Sequence, residues 1–333
     1  MNLTDTDIAG SPVYYPHTFD AKADRVLLVR LSAADYRLSS FLDSRLLAPG
    51  MTAAWFDYAP VAQSAQLIVP RPLHLIFHTG HVGSTLLSRL LDEVPGVLGL
   101  REPHPLQTLA DMADETQRGE DYRTRLGTFL RLWSRGFEAT RAVVLKATSI
   151  AARMAPDILD ASPQAKAVYL HLPAESYIAA NLAAISGAAD LKIFEAIRHK
   201  RLSARLGRAV PEGGSAGELA AIAWMAEQGS LEQAMAAGGP RAMLVDFDML
   251  LADLEGGLAR VLQHLDLPPV ADRLAKSPVL TRYSKAPEQL GFTPETRAEK
   301  IRQARARFAP EIAKGLALIR ALESAGSNPH SRS

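Results

Sequence analysis

The most informative absence from this chain of 333 residues is cysteine, of which it has none. Disulfides, thiolate metal sites and cysteine nucleophiles are therefore excluded, and the fold is indifferent to the redox state of its compartment. Charge of one sign is also lacking, because 37 Lys and Arg residues balance 36 Asp and Glu residues. The net charge of +1 gives no reason to expect a nucleic-acid or membrane-surface partner, so any anion site has to be local.

Long hydrophobic runs are absent as well. No stretch approaches membrane-spanning length, and the first residues lack the basic-then-apolar order of a secretory signal. We therefore expect a cytoplasmic protein without a membrane span. What the chain does contain is 47% hydrophobic residues against 22% charged residues, which is enough apolar surface for a large core.

Residues 73–91 organise the chain as a buried strand, a turn and a helix. The apolar run from Leu73 to Phe77 has the length of a strand. Leucines at helical spacing follow the turn until Pro95 ends the helix.

The turn between this strand and helix has the features of an anion cradle. Gly80 and Gly83 let the backbone approach a ligand closely, and the amides of Gly83, Ser84 and Thr85 open a helix whose dipole favours negative charge. The lysine of the nucleotide-hydrolysing loop Gly-x4-Gly-Lys-Ser/Thr is missing, so the turn is not built to split ATP. An ordinary βα turn with helix-capping hydroxyls remains the alternative interpretation.

Strand and helix patterns alternate from residue 73 to residue 265. This alternation predicts parallel β-α units, and hence a three-layer α/β/α sandwich with a mainly parallel sheet. Helical insertions are expected at residues 105–137 and 187–238. The predicted division of the chain is an N-terminal accessory segment (1–70), an α/β domain with helical insertions (71–290) and a C-terminal helix with a disordered tail (291–333).

Local patterns predict the flanking elements. In the accessory segment they indicate a strand over 24–31 and then a helix that Ser32 caps and that runs through Leu47. A single terminal helix is expected from Thr293 to about Ala325. The basic residues between 200 and 208 are expected to form a solvated face.

Three charged or titratable residues stand at predicted strand ends. In an open parallel sheet the ligand crevice lies outside the carboxyl ends of the strands. Glu102, Lys146 and His171 follow or end apolar strands, so each is placed at that crevice. For Glu102, an ordinary pair with Arg101 on a solvated loop remains equally open.

Together these motifs resemble the sulfotransferase family, whose members use 3′-phosphoadenosine 5′-phosphosulfate (PAPS) on a P-loop-like α/β fold. The likeness is closest to the carbohydrate and tyrosyl-protein branch and to related bacterial proteins, and it covers residues 73–287 as an ordered series of short motifs. The family's loop of the form Arg-Ser-Gly-Thr-Thr-Leu-Leu is similar to His81-Val-Gly-Ser-Thr-Leu-Leu87 here. The resemblance implies a P-loop NTPase-like fold in which this turn holds the 5′-phosphosulfate.

The resemblance also implies roles for individual residues. Glu102 falls on the catalytic carboxylate that takes the proton of the acceptor hydroxyl, and Lys146 falls on the lysine that neutralises the transferring sulfuryl group; His81 completes the implied catalytic set. The segment from His171 to Ala179 is similar to the family's 3′-phosphate motif, Arg-x-Pro-x-Asp-x-x-x-Ser. The implied cofactor-binding residues are Thr79, Gly80, His81, Val82, Gly83, Ser84, Thr85, His171 and the late-loop residues Tyr283, Ser284 and Lys285.

Three departures from the family pattern leave an alternative open. His81 replaces a basic residue, His171 replaces the 3′-phosphate arginine and Ala179 replaces its serine partner. An imidazole is mostly neutral at pH 7, so two fixed charges have become conditional. The expected function is sulfuryl transfer from PAPS to a hydroxyl or amine of a small-molecule or glycan acceptor. The alternative is a catalytically altered protein that binds another nucleotide or a phosphorylated ligand.

The implied chemistry requires no metal. A third interpretation groups His78, His81, Glu102 and His104 as a zinc or iron site, because these residue types suit both metals. Their spacing is not distinctive, and lone histidines on strands are usually structural.

Overall fold

The computed structural model describes residues 3–184, 187–283, 286–291 and 293–324, with side chains left undescribed at 283 and 286–290. The strands are β1 (Tyr14–Asp20), β2 (Arg25–Arg30), β3 (Ala53–Asp57), β4 (Leu73–His78), β5 (Val97–Arg101), β6 (Ala142–Lys146), β7 (Ala167–His171), β8 (Ala242–Asp246), β9 (Arg282–Tyr283) and β10 (Ala286–Leu290). The helices are α1 (Asp5–Gly10), α2 (Ala33–Leu38), α3 (Tyr58–Gln66), α4 (Ser84–Leu91), α5 (Pro105–Glu115), α6 (Glu120–Trp133), α7 (Ala155–Ala161), α8 (Ala174–Ala183), α9 (Gly187–Ile193), α10 (Glu195–Leu206), α11 (Ala216–Gly238), α12 (Phe247–Ala252), α13 (Leu254–His264), α14 (Ala271–Leu274), α15 (Pro294–Arg307) and α16 (Ala309–Ser324).

Strand β4 is the centre of a five-stranded sheet. The order is β5-β6-β4-β7-β8, and every neighbouring pair is parallel. All six residues of β4 are buried, as expected for a parallel strand covered on both faces. The chain leaves β4 for β5, returns to β6 and then crosses to β7, so the strand order reverses beside the carboxyl end of β4. Such a switch point is where open parallel sheets form their ligand crevice.

Helices cover both faces of this sheet. Leu75 and Phe77 of β4 belong to an apolar core that also contains α3, α5, α6 and α7. Ile76, on the opposite face, belongs to a second core with α4, α8, α13 and α16. Because successive strand residues point to opposite faces, the sheet is the middle of three layers. The predicted three-layer α/β/α sandwich is confirmed, and its predicted mainly parallel sheet is parallel throughout.

The N-terminal segment packs onto one of these cores. Strands β1, β2 and β3 form an antiparallel sheet in that order, and the predicted strand at 24–31 is confirmed as β2. Buried residues of this sheet, such as Tyr15 and Leu28, share the core that contains Leu75 and Phe77. The segment is thereby brought to the edge of the parallel sheet.

Helix α2 ends at Leu38, so the predicted helix through Leu47 is wrong. The reason is Arg101 of β5, whose buried guanidinium donates hydrogen bonds to the carbonyl oxygens of Tyr36, Arg37 (3.2 Å) and Ser39 (2.9 Å). Carbonyls at a helix end need donors, and here a side chain from another element supplies them in place of further helical amides.

The predicted insertions are helical, but their basic face is not solvated throughout. Arg201 of α10 lies 3.4 Å from Glu227 of α11 and also donates to Ser230, and Arg205 donates to Glu232 (2.7 Å). Glu227 is buried, so its charge has to be paired within the protein. Both arginines join α10 to α11. The prediction of a solvated face is wrong for Arg201, which pairs with the buried Glu227, whereas Arg205 is exposed as predicted.

The C-terminal segment forms two helices, α15 and α16, rather than the single helix predicted. The break falls at Phe308, two residues before Pro310. Pro310 has no N–H for the carbonyl of Ala306, so the hydrogen-bond ladder of α15 cannot continue past Phe308, and proline is tolerated in the first turn of the new helix. Among the helices that the structure describes, none has both the length and the apolar character needed to cross a membrane.

Candidate functional site

The loop after β4 begins with a fixed histidine. Nδ1 of His78 accepts the N–H of Gly80 (3.1 Å), and its Nε2 lies 3.0 Å from the carbonyl oxygen of Ala147. A carbonyl can only accept, so we assign the proton to Nε2 and a neutral imidazole to His78. This ring ties the start of the loop to the residue that follows β6.

The end of the loop depends on glycine. Gly83 caps α4 with a φ of +74°, and a Cβ there would lie 1.9 Å from the ring of Phe247, the first residue of α12. Gly80 also has a left-handed φ, of +92°. The amides of Ser84 and Thr85, at the start of α4, precede the first helical hydrogen bonds, which Leu86 and Leu87 donate to the carbonyl of Gly83, and the helix dipole adds positive potential. The loop and helix therefore form a backbone site suited to an anion.

Glu102 and Lys146 meet at the ends of the adjacent strands β5 and β6. Their register pairs Arg101 with Lys146, which puts Glu102 one residue beyond the ladder. Oε1 of Glu102 forms an ion pair with Nζ of Lys146, whose side chain is 1% exposed. Glu102 has a left-handed φ of +55°, an uncommon backbone conformation for a residue with a side chain and one that is often found at functional sites.

The N-terminal segment supplies a wall beside this pair. Nη2 of Arg45 lies 3.3 Å from Oε2 of Glu102, and its guanidinium stacks 3.4 Å above the ring of Phe41. The Lys146 ammonium lies 5.8 Å from the centroid of the same ring. Nothing in the sequence around residues 41–45 indicated this placement, because the contact depends on how two sheets pack.

The alternative interpretation of Glu102 as the partner of Arg101 is wrong. Arg101 points into the protein, where it pairs with Asp92 (3.2 Å) and is 0% exposed. Neighbouring residues of a strand face opposite sides, so Arg101 and Glu102 have separate partners. Glu102 is thereby left to the crevice.

His81 connects the loop to the insertion at 187–238. Its backbone φ is +53°, and its Nε2 lies 2.9 Å from Oδ2 of Asp190 in α9. The imidazole can donate a hydrogen bond to this carboxylate. The insertion therefore contacts the loop directly.

These elements surround one cavity of about 290 Å³. The predicted site residues that line it are His81, Val82, Gly83, Ser84, Thr85, Glu102 and Lys146. Thr79, Gly80 and His171 lie outside its lining, and Oγ1 of Thr79 is buried without a hydrogen-bond partner among the described residues. Ser284 and Lys285 lie outside the described residues, and Tyr283 is described only by its backbone in β9.

The same cavity has lining residues that sequence reasoning missed. Phe247 follows β8, Arg282 begins β9, and Arg297 and Lys300 lie in α15. Two features of the sequence could have indicated these residues. Arg282 directly precedes the Tyr283 motif, and the i, i+3 spacing of Arg297 and Lys300 puts both on one helix face. Neither signal indicates which face meets the crevice.

Three of the four residues of the metal interpretation, His78, His81 and Glu102, line the cavity, and His104 does not. His78 binds the carbonyl of Ala147, and the ring of His104 packs 5.8 Å from that of His17. The part of the chain that the structure describes contains no group of three or more His, Asp or Glu side chains that could hold a metal ion.

Comparison with known proteins gives similarity only among solved structures. No protein-family model matches the chain. No curated protein matches its sequence. A sulfotransferase from Alicyclobacillus acidocaldarius is 17% identical, with a TM-score of 0.38, over 76% of this chain and 97% of that one.

Two further solved structures are similar to the same degree. The sulfotransferase STF1 from Mycobacterium tuberculosis is 16% identical, with a TM-score of 0.39, over 76% of this chain and 82% of that one. The sulfotransferase domain of the Synechococcus olefin synthase is 16% identical, with a TM-score of 0.38, over 72% of this chain and 95% of that one. Similarity at this level does not assign a reaction, and only the residues around the cavity bear on the chemistry.

Proposed function

We propose that this protein transfers a sulfuryl group from PAPS to a hydroxyl or amine of a small-molecule or glycan acceptor. The observation that carries the proposal is that one cavity joins the loop before α4, Lys146 and Glu102, which come from three separate strand ends. Sulfuryl transfer asks for an anion cradle, a cation and a base in one place. These three features supply them.

The residues present fit the anionic donor. The loop offers backbone amides at a helix N-terminus, shaped by two left-handed glycines that leave no room for a side chain at Gly83. Lys146 brings a buried positive charge to the same cavity. PAPS, when bound, would supply an activated sulfuryl group on its 5′-phosphate.

Each side chain has a defined task in this proposal. The ion pair with Lys146 requires Glu102 to be a carboxylate, which is the form that can accept the proton of an acceptor hydroxyl. Lys146 would neutralise negative charge on the sulfuryl oxygens, and the α4 amides would hold the 5′-phosphate as the bond to the sulfur breaks. His81 would hold the loop against α9 through its hydrogen bond to Asp190.

The pairing of Glu102 with Lys146 orients the proposed base. Arg45 holds the second oxygen of the same carboxylate, so Glu102 is oriented from both sides. A carboxylate fixed in this way loses less freedom when the acceptor binds. The left-handed backbone at Glu102 contributes to the same fixed orientation.

Calorimetry with adenosine 3′,5′-bisphosphate tests the proposal. We expect binding of this product nucleotide by the purified protein, and release of the bisphosphate from PAPS when phenol, sugar and amine acceptors are screened. Absence of binding at millimolar bisphosphate would remove the proposal. Thermal stabilisation by ATP or GDP without any by the bisphosphate would instead favour the altered nucleotide-binding protein.

A further inference from the structure

Three cations that belong to no assigned motif line the same cavity as the anion loop. They are Arg282, at the start of β9, and Arg297 and Lys300 in α15. Thr293, Pro294 and Ile301 line it as well, so the first two turns of α15 present one face to the cavity. A helix face of this kind can offer two positive charges at once.

The sheet order places these cations on the side of the loop away from Lys146. The guanidinium of Arg297 lies 4.8 Å from the centroid of Phe247, which follows β8, and that ring packs against Gly83. Lys146 ends β6, which is separated from β8 by β4 and β7. At about 4.8 Å between neighbouring strands, the ends of β6 and β8 are roughly 14 Å apart. Basic side chains therefore lie on both sides of the α4 N-terminus, Lys146 paired with Glu102 on one side and Arg297 paired with Asp248 on the other.

Arg297 is held in place while keeping donors for a ligand. Its Nη1 donates to Oδ1 of Asp248 (3.0 Å), and its side chain is 17% exposed. An arginine has five N–H donors in a rigid fork. Among the described residues Asp248 is the sole carboxylate that pairs with Arg297, so the remaining donors can serve an anion in the cavity.

Basic side chains in two separate places suit a ligand with two separated anionic groups. The donor proposed above has such groups, the 5′-phosphosulfate and the 3′-phosphate. His171, which the family resemblance implies for the 3′-phosphate, lies outside the cavity lining. Burial also lowers the pKa of His171, so its imidazole is uncharged at neutral pH. The second phosphate therefore needs a different cation.

We infer that Arg297 and Lys300, with Arg282 beside them, bind the 3′-phosphate of the nucleotide and make the site selective for 3′-phosphorylated adenosine. The inference rests on the proposed function. It places the cations for the 3′-phosphate on α15, whereas the sulfotransferase motif described above has its arginine at the end of β7. Arginine binds phosphate through two parallel N–H bonds, and lysine adds a mobile point charge.

The test compares two nucleotides that differ only in the 3′-phosphate. Calorimetry measures binding of adenosine 3′,5′-bisphosphate and adenosine 5′-monophosphate by the wild type and by Arg297→Gln/Lys300→Gln. We expect the double substitution to weaken bisphosphate binding tenfold to a hundredfold or more and to leave monophosphate binding within about twofold. Arg302→Gln is the matched control, because Arg302 lies on the same helix, pairs with Glu299 and does not line the cavity.

Each outcome decides one of the two proposals. Equal weakening of both nucleotides, or no weakening of either, would overturn the inference and leave sulfuryl transfer standing. Failure of the wild type to bind the bisphosphate at all would overturn the proposed function as well. Since Arg297 packs on Phe247, Lys300→Gln alone is the second variant: it retains that packing, and we expect a selective loss of about tenfold in bisphosphate affinity.

Discussion

Arg45 reaches Glu102 across 57 residues of sequence, with Nη2 of the arginine 3.3 Å from Oε2 of the carboxylate. The contact brings the N-terminal segment into the candidate site, where the parallel sheet alone would leave one side of Glu102 open. The cavity wall at the ends of β5 and β6 is thus completed by an element outside the α/β sheet. The consequences of this arrangement can be measured.

Substitution of Arg45 separates nucleotide binding from transfer. We expect Arg45→Ala to leave bisphosphate affinity unchanged and to lower the transfer rate by no more than about fivefold, because an ion pair whose arginine is 55% exposed contributes at most about 1 kcal/mol. Calorimetry and bisphosphate release from PAPS provide the two measurements. Arg25→Ala is the control, since Arg25 pairs with Asp57 outside the cavity lining. A large loss of bisphosphate affinity would contradict the assignment of Arg45 to Glu102 and would indicate that it contacts the nucleotide.

The carboxylate itself is expected to matter far more. Glu102→Gln preserves shape and removes the proton acceptor, so we expect transfer to fall by about 10² to 10⁴-fold while the bisphosphate still binds. Rates of PAPS turnover and calorimetry on the same preparation test this. A variant that retains more than a tenth of the wild-type rate would show that Glu102 is not the base.

The glycine at the start of α4 provides a prediction on stability. Gly83→Ala places a Cβ in the ring of Phe247 and forces an L-residue to a φ of +74°, so we expect a loss of about 2 to 4 kcal/mol in the free energy of unfolding. Urea denaturation measures it. Gly207→Ala is the matched control, because Gly207 has a φ of +63° and no atom within 4 Å of the added Cβ. The difference between the two losses of unfolding free energy measures the steric clash with Phe247. Equal losses would mean that the Phe247 ring moves to make room for the added Cβ.

The buried arginine before Glu102 is expected to hold the N-terminal segment in place. Arg101→Met leaves Asp92 buried without its partner and three carbonyl oxygens without their donor, so we expect a loss of about 3 to 5 kcal/mol. Denaturation gives the total, and hydrogen exchange of residues 36–46 shows where the structure opens. Unchanged exchange in this segment would mean that Arg101 does not anchor it.

His74 gives the protein a pH-dependent stability. Burial lowers the pKa of His74 from 6.5 to about 4, so between these values the unfolded chain binds a proton that the folded chain does not. The contribution of His74 to the free energy of unfolding is therefore fully present above pH 6.5. It is lost as the pH falls toward 4, by on the order of 3 kcal/mol. We expect His74→Gln to flatten the dependence of unfolding free energy on pH over this interval. An unchanged slope would show that other groups, such as His17 and His171, carry the effect.

The order of strands and helices in the α/β unit followed from local patterns. Continuous apolar runs of strand length, such as Leu73–Phe77, are typical of parallel strands covered on both faces, and the glycines at 80 and 83 permit the left-handed backbone of the turn. Placement of Glu102 and Lys146 at the same edge also follows, because parallel strands share the direction of their carboxyl ends. Their roles in catalysis remain predictions.

The sequence predictions were wrong where a side chain of one element satisfies the polar groups of another element. The helix predicted through Leu47 stops at Leu38 because the Arg101 side chain replaces helical amides, and Arg201 of α10 is paired because Glu227 is buried beside it. Pro310 indicates the break at Phe308 from sequence alone, and the prediction of a single terminal helix did not take it into account.

By itself, the sequence determined the parallel α/β layers, the absence of thiol chemistry and a glycine-containing turn after β4 that lacks the ATPase lysine. These properties depend on residue type and short-range spacing, which can be read along a chain. Only the tertiary structure decided that Arg45 covers Glu102, that Phe247 closes on Gly83 and that α15 turns Arg297 toward the cavity. Such contacts are set by how separately formed layers pack together, and no local pattern encodes the resulting distances.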